Sequence, residues 1–336
     1  MRATELGGPR GEVRLPVRIL GTASVLPERV VTTAELARQV GREPEEMERK
    51  TGIRTRHWAA PGAKMADLGA RALRLALERA GLAATELRRI LFVTSTGGDA
   101  LAPATANQVA AALGLSGSCD AFDLNNACMG FLSAFDVAAR SVATGLSPVA
   151  IVTVEFNSRA IAPTEPRPYL VFGDAATATV LGPAQEPGEG VLAVAFGNDG
   201  THPPDTQLDH PLRTGRPEGF RFHTSPRDMV RVVFEVLDQA TSRVAESSGV
   251  RLGDIEWVLP HQPNGAMLRG IVERYGFEPT RLMPVVEEIG SVGAASIPFS
   301  LDLLLRTRPV RPGDRVLMLG VGAGVSYGAL VYQVGA

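Results

Sequence analysis

The chain has 336 residues, of which 45% are hydrophobic and 21% charged, with a formal net charge of −2. That length and apolar content allow a large buried core in two domains or one double-sized one. The near-neutral charge argues against a general nucleic-acid binder, and no run reaches the roughly 18 to 20 uninterrupted apolar residues of a membrane span.

The opening stretch MRATELGGPRGEVRLP is polar and glycine-rich without an apolar leader region, so residues 1–16 are expected to form a flexible tail. Short β-rich runs are then predicted at 17–26, 88–97, 149–156, 176–182, 190–197, 255–262 and 315–324. Segments of helical period lie between them at 64–80, 103–113, 128–144, 226–248 and 264–275. This alternation predicts an α/β layered fold. Strand, polar loop and helix follow one another in LFVTSTGGDALAPATANQVAAALGL and again in WVLPHQPNGAMLRGIVERYGF. AFDLNNACMGFLSAFDVAARSVATG has a counterpart in LMPVVEEIGSVGAASIPFSLDLLLRT. Two similar halves are implied, 17–182 and 183–336, with no low-complexity linker between them. The glycine-rich LGVGAGVSYG (319–328) lies too near the carboxyl terminus for a dinucleotide-binding βαβ unit and predicts a tight turn between paired strands.

The two cysteines, Cys119 and Cys128, show no CxxC spacing, which indicates neither a disulfide framework nor a zinc site and suits a reducing cytoplasm. Cys128 is placed at the predicted start of a helix, where backbone N–H groups and the helix dipole would lower a thiol from about 8.5 toward neutrality. Free cysteines more often pack in cores, so packing residue and nucleophile both stand on local sequence alone. His261, in VLPHQPN, directly follows an apolar strand, at the sheet edge where α/β proteins bind ligands. His202, His210 and His223 fall in a Gly/Pro-rich stretch with Asp205 and Asp209. Their spacing matches no metal motif, and a substrate-covering loop is the expectation there.

The combined pattern resembles the ketoacyl-ACP synthase III family of the thiolase superfamily. The likeness is carried by TGIRTRHW (51–58), ACMGF (127–131), FGDAATATVL (172–181), VLPHQPN (258–264), GAASIPFSLD (293–302) and GVGAGVSYGA (320–329), in family order across nearly the whole chain. The resemblance implies a thiolase-like αβαβα fold of two duplicated halves, usually as a homodimer. It also implies that Cys128 accepts an acyl group from a CoA or carrier-protein thioester. His261 would match the catalytic histidine, and an oxyanion would be held by the N–H of Cys128 with one from the turn containing Gly322 and Gly324. Asn264 would orient substrate or a water, and Lys50, Arg54 and Trp58 would contact CoA. No permanently bound cofactor and no metal are implied; acyl-CoA or the phosphopantetheine of acyl carrier protein is the substrate.

Three positions depart from the family pattern. Relatives carry an asparagine before the AAS run, as partner of the histidine, where GSVGAAS has Ser291, a single rotatable hydroxyl. HQPNGAM has Gly265 and Ala266 where relatives often carry an arginine that docks acyl carrier protein, and Arg269 comes one helical turn later. GGDALAP is small where relatives often place an aromatic that limits the acyl tunnel. The leading expectation is a condensing enzyme: Cys128 is acylated, then a malonyl-type thioester decarboxylates and attacks, in fatty-acid or polyketide biosynthesis. Transfer of the acyl group from Cys128 to an oxygen, nitrogen or carrier thiol without decarboxylation is the alternative that Ser291 favours. A non-catalytic partner subunit is a third.

Overall fold

The computed structural model of the chain describes residues 14–201, 206–215, 219–223 and 225–335. In chain order the first half contains β1 (Val17–Val25), β2 (Arg29–Thr32), α1 (Thr33–Gln39), α2 (Pro44–Thr51), β3 (Thr55–Trp58), α3 (Met65–Ala80), β4 (Arg89–Val93), α4 (Thr105–Ala112), β5 (Asp120–Leu124), α5 (Gly130–Ala143), β6 (Val149–Phe156), α6 (Pro166–Tyr169) and β7 (Asp174–Pro183). The second contains β8 (Gly190–Asn198), β9 (Thr206–Leu208), α7 (Pro211–Thr214), β10 (Phe220–Phe222), α8 (Pro226–Ser248), β11 (Trp257–Pro260), α9 (Gly265–Tyr275), α10 (Val286–Ile289), α11 (Ser296–Thr307), β12 (Arg315–Gly322) and β13 (Ser326–Gln333).

Every residue of β6 is buried, as expected of a strand covered on both faces. It lies in a five-stranded sheet of order β1-β7-β6-β4-β5, in which β4 runs parallel to β5 and β6 while β7 pairs antiparallel with β6 and β1. The second sheet, β11-β12-β13-β8, repeats that order and those directions for four strands. A lone parallel bridge between Val258 and Leu282 stands where the first half has β5. This repetition gives the duplicated thiolase-like architecture its physical content. β12 and β13 form the expected hairpin around the glycine-rich turn.

Helices α5 and α11 fill the layer between the sheets. Phe131 and Phe135 of α5 stack edge to face at 5.8 Å and share one core with Ile297 and Leu301 of α11, Ile151 of β6 and Met318 of β12. Helices α3 and α4 pack on the outer face of the first sheet, and α8 and α9 on the outer face of the second. The result is αβαβα. The antiparallel β2/β3 pair and helices α1 and α2 were not expected, because four-residue strands are too short to show a period. Residues 1–13 of the expected tail lie outside the described residues, and Leu15 forms an antiparallel bridge with Val191 at the start of β8.

Asp302 of α11 is fully buried and ties the middle layer to the first sheet. It accepts from Thr22 (2.9 Å) and Ser24 (2.5 Å) on β1, from Arg79 (2.9 Å) on α3 and from Arg306 (3.1 Å). Asp302→Ala is expected to cost on the order of 3 kcal/mol, because two hydroxyls and two guanidinium groups lose their common acceptor. The denaturant midpoint should fall with an unchanged slope; an unmoved midpoint would show that these donors find water at no cost.

The stretch expected to cover substrate carries a small β9/β10 sheet and α7. His202 and Asp205 lie outside the described residues. His210 caps α7, its Nδ1 accepting from Leu212 N, and Asp209 accepts from Arg213 and Arg221.

Candidate active site

The chain leaves β5 at Leu124 and turns sharply before α5. Asn125 Oδ1 accepts from Ala127 N (3.0 Å), Asn126 Nδ2 donates to Ser133 Oγ (2.9 Å), and Ala127 adopts φ 44, a left-handed conformation uncommon for a residue with a side chain. Cys128 follows in this turn. Helix α5 begins only at Gly130, with Met129 as its cap, so the cysteine precedes the first helical turn. The expected pre-activation is therefore corrected. The residue is part-exposed, yet its thiol is packed deeply enough that burial, reinforced by the Glu155 carboxylate, pushes it up to about 12; the one opposing contribution is the N–H of Cys128 itself. Cys128 therefore rests as a thiol.

The second half closes against this turn through the C-terminal end of β12. A Cβ built on Gly322 would meet Cys128 N at 3.0 Å and Met129 N at 3.1 Å, so a side chain there would crowd the backbone of this turn. Met129 in turn packs over Gly320. Gly324 lies in the hairpin turn two residues beyond Gly322.

His261 continues β11 by donating its backbone N–H to Leu319 O of β12 (2.7 Å). Its imidazole is buried, Nδ1 has no partner among the described residues, and burial lowers the ring to about 4. The histidine is thus neutral across the physiological range. Gln262 fixes the loop behind it, donating Nε2 to Met283 O (2.8 Å) and accepting at Oε1 from Val285 N and Val286 N. Its own N–H donates to Ser296 Oγ (3.0 Å). That bond joins the histidine loop to the segment carrying Ser291. Ser291 is buried, and its backbone bridges the first half, N–H to Val171 O (2.8 Å) and carbonyl from Gly173 N (2.9 Å).

The remaining sequence-predicted residues separate into rim and core. Asn264 caps α9, Oδ1 accepting from Met267 N (2.8 Å), so that oxygen is engaged in structure. Gly52, at the end of α2, touches Gly265 and so brings the Lys50–Arg54 segment against the histidine loop. Lys50 and Arg54 are exposed there, Lys50 paired with Glu46 and Arg54 with Glu287 and Glu288. Trp58 does not join them. It is buried, 5.5 Å from the Tyr169 ring, with Nε1 donating to Phe172 O (3.0 Å), which corrects its expected place among the CoA contacts. Cys119 sits before β5 at the opposite strand end, its thiol raised to about 11 by burial.

One residue that sequence reasoning missed is Glu155, fully buried at the end of β6 and near enough to raise the Cys128 thiol. A signal was present: an acidic residue closing the apolar run VAIVTVEF is costly to bury unless it is bonded.

Known proteins are similar to this chain in sequence and in fold. The family profile for 3-oxoacyl-[acyl-carrier-protein (ACP)] synthase III matches residues 122–200, and the profile for its C-terminal part matches 245–334. A beta-ketoacyl-[acyl-carrier-protein] synthase III of Symbiobacterium thermophilum is 36% identical over 330 residues, covering 95% of this chain and 98% of that protein. The crystal structure of 3-oxoacyl-(acyl carrier protein) synthase III, FabH, from Pseudomonas aeruginosa superposes with a TM-score of 0.87 at 30% identity, covering 96% of this chain and 99% of that one. The priming β-ketosynthase of the R1128 polyketide pathway does so with a TM-score of 0.85, also at 30% identity, over 98% and 99%. With the two profiles falling on the cysteine-bearing and histidine-bearing segments and identity sustained end to end, this chain belongs to the 3-oxoacyl-[acyl-carrier-protein] synthase III family of the thiolase superfamily and is an acyltransferase of the β-ketoacyl synthase III type.

Proposed function

We propose that Cys128 takes an acyl group from a CoA or carrier-protein thioester and that a malonyl-type thioester then condenses with it by decarboxylation, in fatty-acid or polyketide biosynthesis. The observation that carries the reading is the close approach of Gly322, at the end of β12, to the backbone of the Cys128 turn, in a chain whose neutral His261 is held by the neighbouring strand. As the sulfur attacks the thioester carbonyl, its proton passes to the neutral imidazole and then to the departing thiolate. The oxyanion is met by Cys128 N–H and by an N–H of the turn at Gly324. In the second step carbon dioxide leaves the malonyl group. His261 and the Ser291 hydroxyl hydrogen-bond the enolate oxygen, and the α-carbon attacks the acyl carbonyl and expels the Cys128 thiolate.

Ser291 favours a second reading, in which the acyl group passes from Cys128 to an oxygen, nitrogen or carrier thiol without decarboxylation. A shorter, rotatable donor holds an enolate less firmly than a fixed amide does. The division expected at 182/183 falls at the last residue of β7, and with it Cys128 belongs to the first half and His261 to the second. No permanently bound cofactor enters the scheme; acyl-CoA or carrier-protein phosphopantetheine arrives as substrate, with exposed Lys50 and Arg54 at the entrance in place of Trp58. The free outer edge of β5 supports a homodimer, and the cysteine usage a cytoplasmic setting.

Intact-protein mass spectrometry after incubation with a panel of acyl-CoAs and acyl carrier-protein thioesters is the test, followed by carbon dioxide release from a malonyl thioester. A panel that leaves no adduct refutes both readings. An adduct with acyl transfer but no carbon dioxide selects the second. Ser291→Asn is expected to raise carbon dioxide release by on the order of 10-fold or more. An unchanged rate would show that Ser291 is not the partner of His261.

A further inference from the structure

Glu155 gathers three segments far apart in the chain. Its Oε1 accepts from Ala294 N (3.0 Å), and its Oε2 accepts from Ser95 Oγ (2.9 Å), Ser95 N (3.1 Å) and Thr94 Oγ1 (3.3 Å). Thr94 and Ser95 directly follow β4 of the first half, whereas Ala294 belongs to the second. The match to the second half is close. Gly293 has φ +52, and a Cβ there would meet Oε1 at 2.9 Å and Cδ at 3.1 Å, so the turn lies flat against the carboxyl group. On its other side the same turn touches the start of α5, since a Cβ on Gly130 would lie 3.6 Å from that of Ala294. Gly130 is two residues beyond Cys128, and Ala294 three beyond Ser291. Hydrogen bonds alone fix the carboxyl group among the described residues, and its burial raises it to about 7 against the donors that lower it.

We propose that Glu155 is a positioning residue of the acyl-transfer site: by spanning the loop after β4 and the 293–294 turn, it holds the Ser291 segment in register with Cys128. The role rests on the proposed acylation of Cys128 and goes beyond it, because no contact with substrate is required. What matters is the length of the side chain and its acceptor oxygens. Asp keeps the charge but falls one methylene short of bridging both loops, whereas Gln keeps the span and an acceptor, and the Thr94 and Ser95 hydroxyls can reverse to accept from its amide.

The test compares Glu155→Leu, Glu155→Asp and Glu155→Gln for folding, for kcat and KM with an acyl-CoA that wild type accepts, and for the pH profile of Cys128 alkylation by iodoacetamide. Leu and Asp are expected to lower kcat about 10-fold or more with KM within about threefold, because misplacement of about 1 Å acts on the reacting geometry. Gln is expected to restore most of kcat. Glu155 is the one charged side chain that acts on the Cys128 thiol among the described residues, so Gln should also move the alkylation profile to lower pH while Asp should not. If Leu and Asp do not fold, Ser95→Ala, which removes one hydroxyl donor, is expected to lower kcat about threefold. An Asp variant as active as Gln, a Gln profile that overlays wild type, or a Ser95→Ala variant of wild-type kcat would each overturn the proposal. Alkylation needs no acyl donor, so a protein that accepts no acyl thioester, from CoA or carrier protein, refutes the proposed function while this profile still decides the role of Glu155.

Discussion

Cys128→Ala is expected to stay folded, to take up no acyl group from any donor and to lower turnover by on the order of 10⁴-fold or more. The thiol supports no packing that alanine cannot leave in place: the turn around it is held by Asn125, by the Asn126–Ser133 bond and by the backbone bonds Met129 N to Asn126 O and Gly130 N to Ala127 O. The second cysteine serves as an internal control. Cys119 lies at the other end of the sheet, donates to Asp120 O and is raised by burial, with no histidine loop beside it. An adduct of equal yield on the Cys128→Ala protein would refute the assignment. Because the Cys128 thiol is raised to about 12 and not lowered, iodoacetamide alkylation of wild type should keep climbing above pH 9, where a pre-formed thiolate would already have reached its plateau.

Gly322→Ala is expected to lower the rate of Cys128 acylation about 100-fold while the protein keeps its fold. The new methyl group would sit 3.0 Å from Cys128 N and 3.3 Å from Ala127 Cβ, against the N–H that the proposed function gives to the thioester oxygen. Losing one oxyanion donor costs about 10² to 10³ in rate. The backbone at Gly322 is not left-handed, so alanine adds obstruction without adding conformational strain. Stopped-flow acylation with the preferred acyl-CoA, beside thermal unfolding, separates the two effects: a parallel collapse of stability would assign the loss to misfolding, and wild-type acylation would remove Gly322 from the oxyanion site.

How far the sequence reaches depends on how local each cause is. The apolar run of β6, the helical period of α3 and α8, the glycine-rich turn between β12 and β13 and the likeness of the two halves were all legible, because each arises from residues within one or two elements of each other. His261 was readable from its place after an apolar strand, and the likeness to a known family singled out Cys128 and Ser291. Trp58 was misplaced because an aromatic among basic residues reads as a surface contact until Tyr169 and Phe172, more than 100 positions away, are folded over it. The protonation of Cys128 was misjudged in direction, since local sequence reports the nearby helix but not the burial and the Glu155 carboxylate that outweigh it. Glu155 was signalled only as an acidic residue in an apolar run; its partners were not legible, because they come from residues 94–95 and 294. Sequence by itself determined the family and the layered fold and singled out one cysteine and one histidine; the tertiary structure decided burial, protonation and which polar groups bond one another, because desolvation and Coulomb interactions depend on distances in space that chain position does not encode.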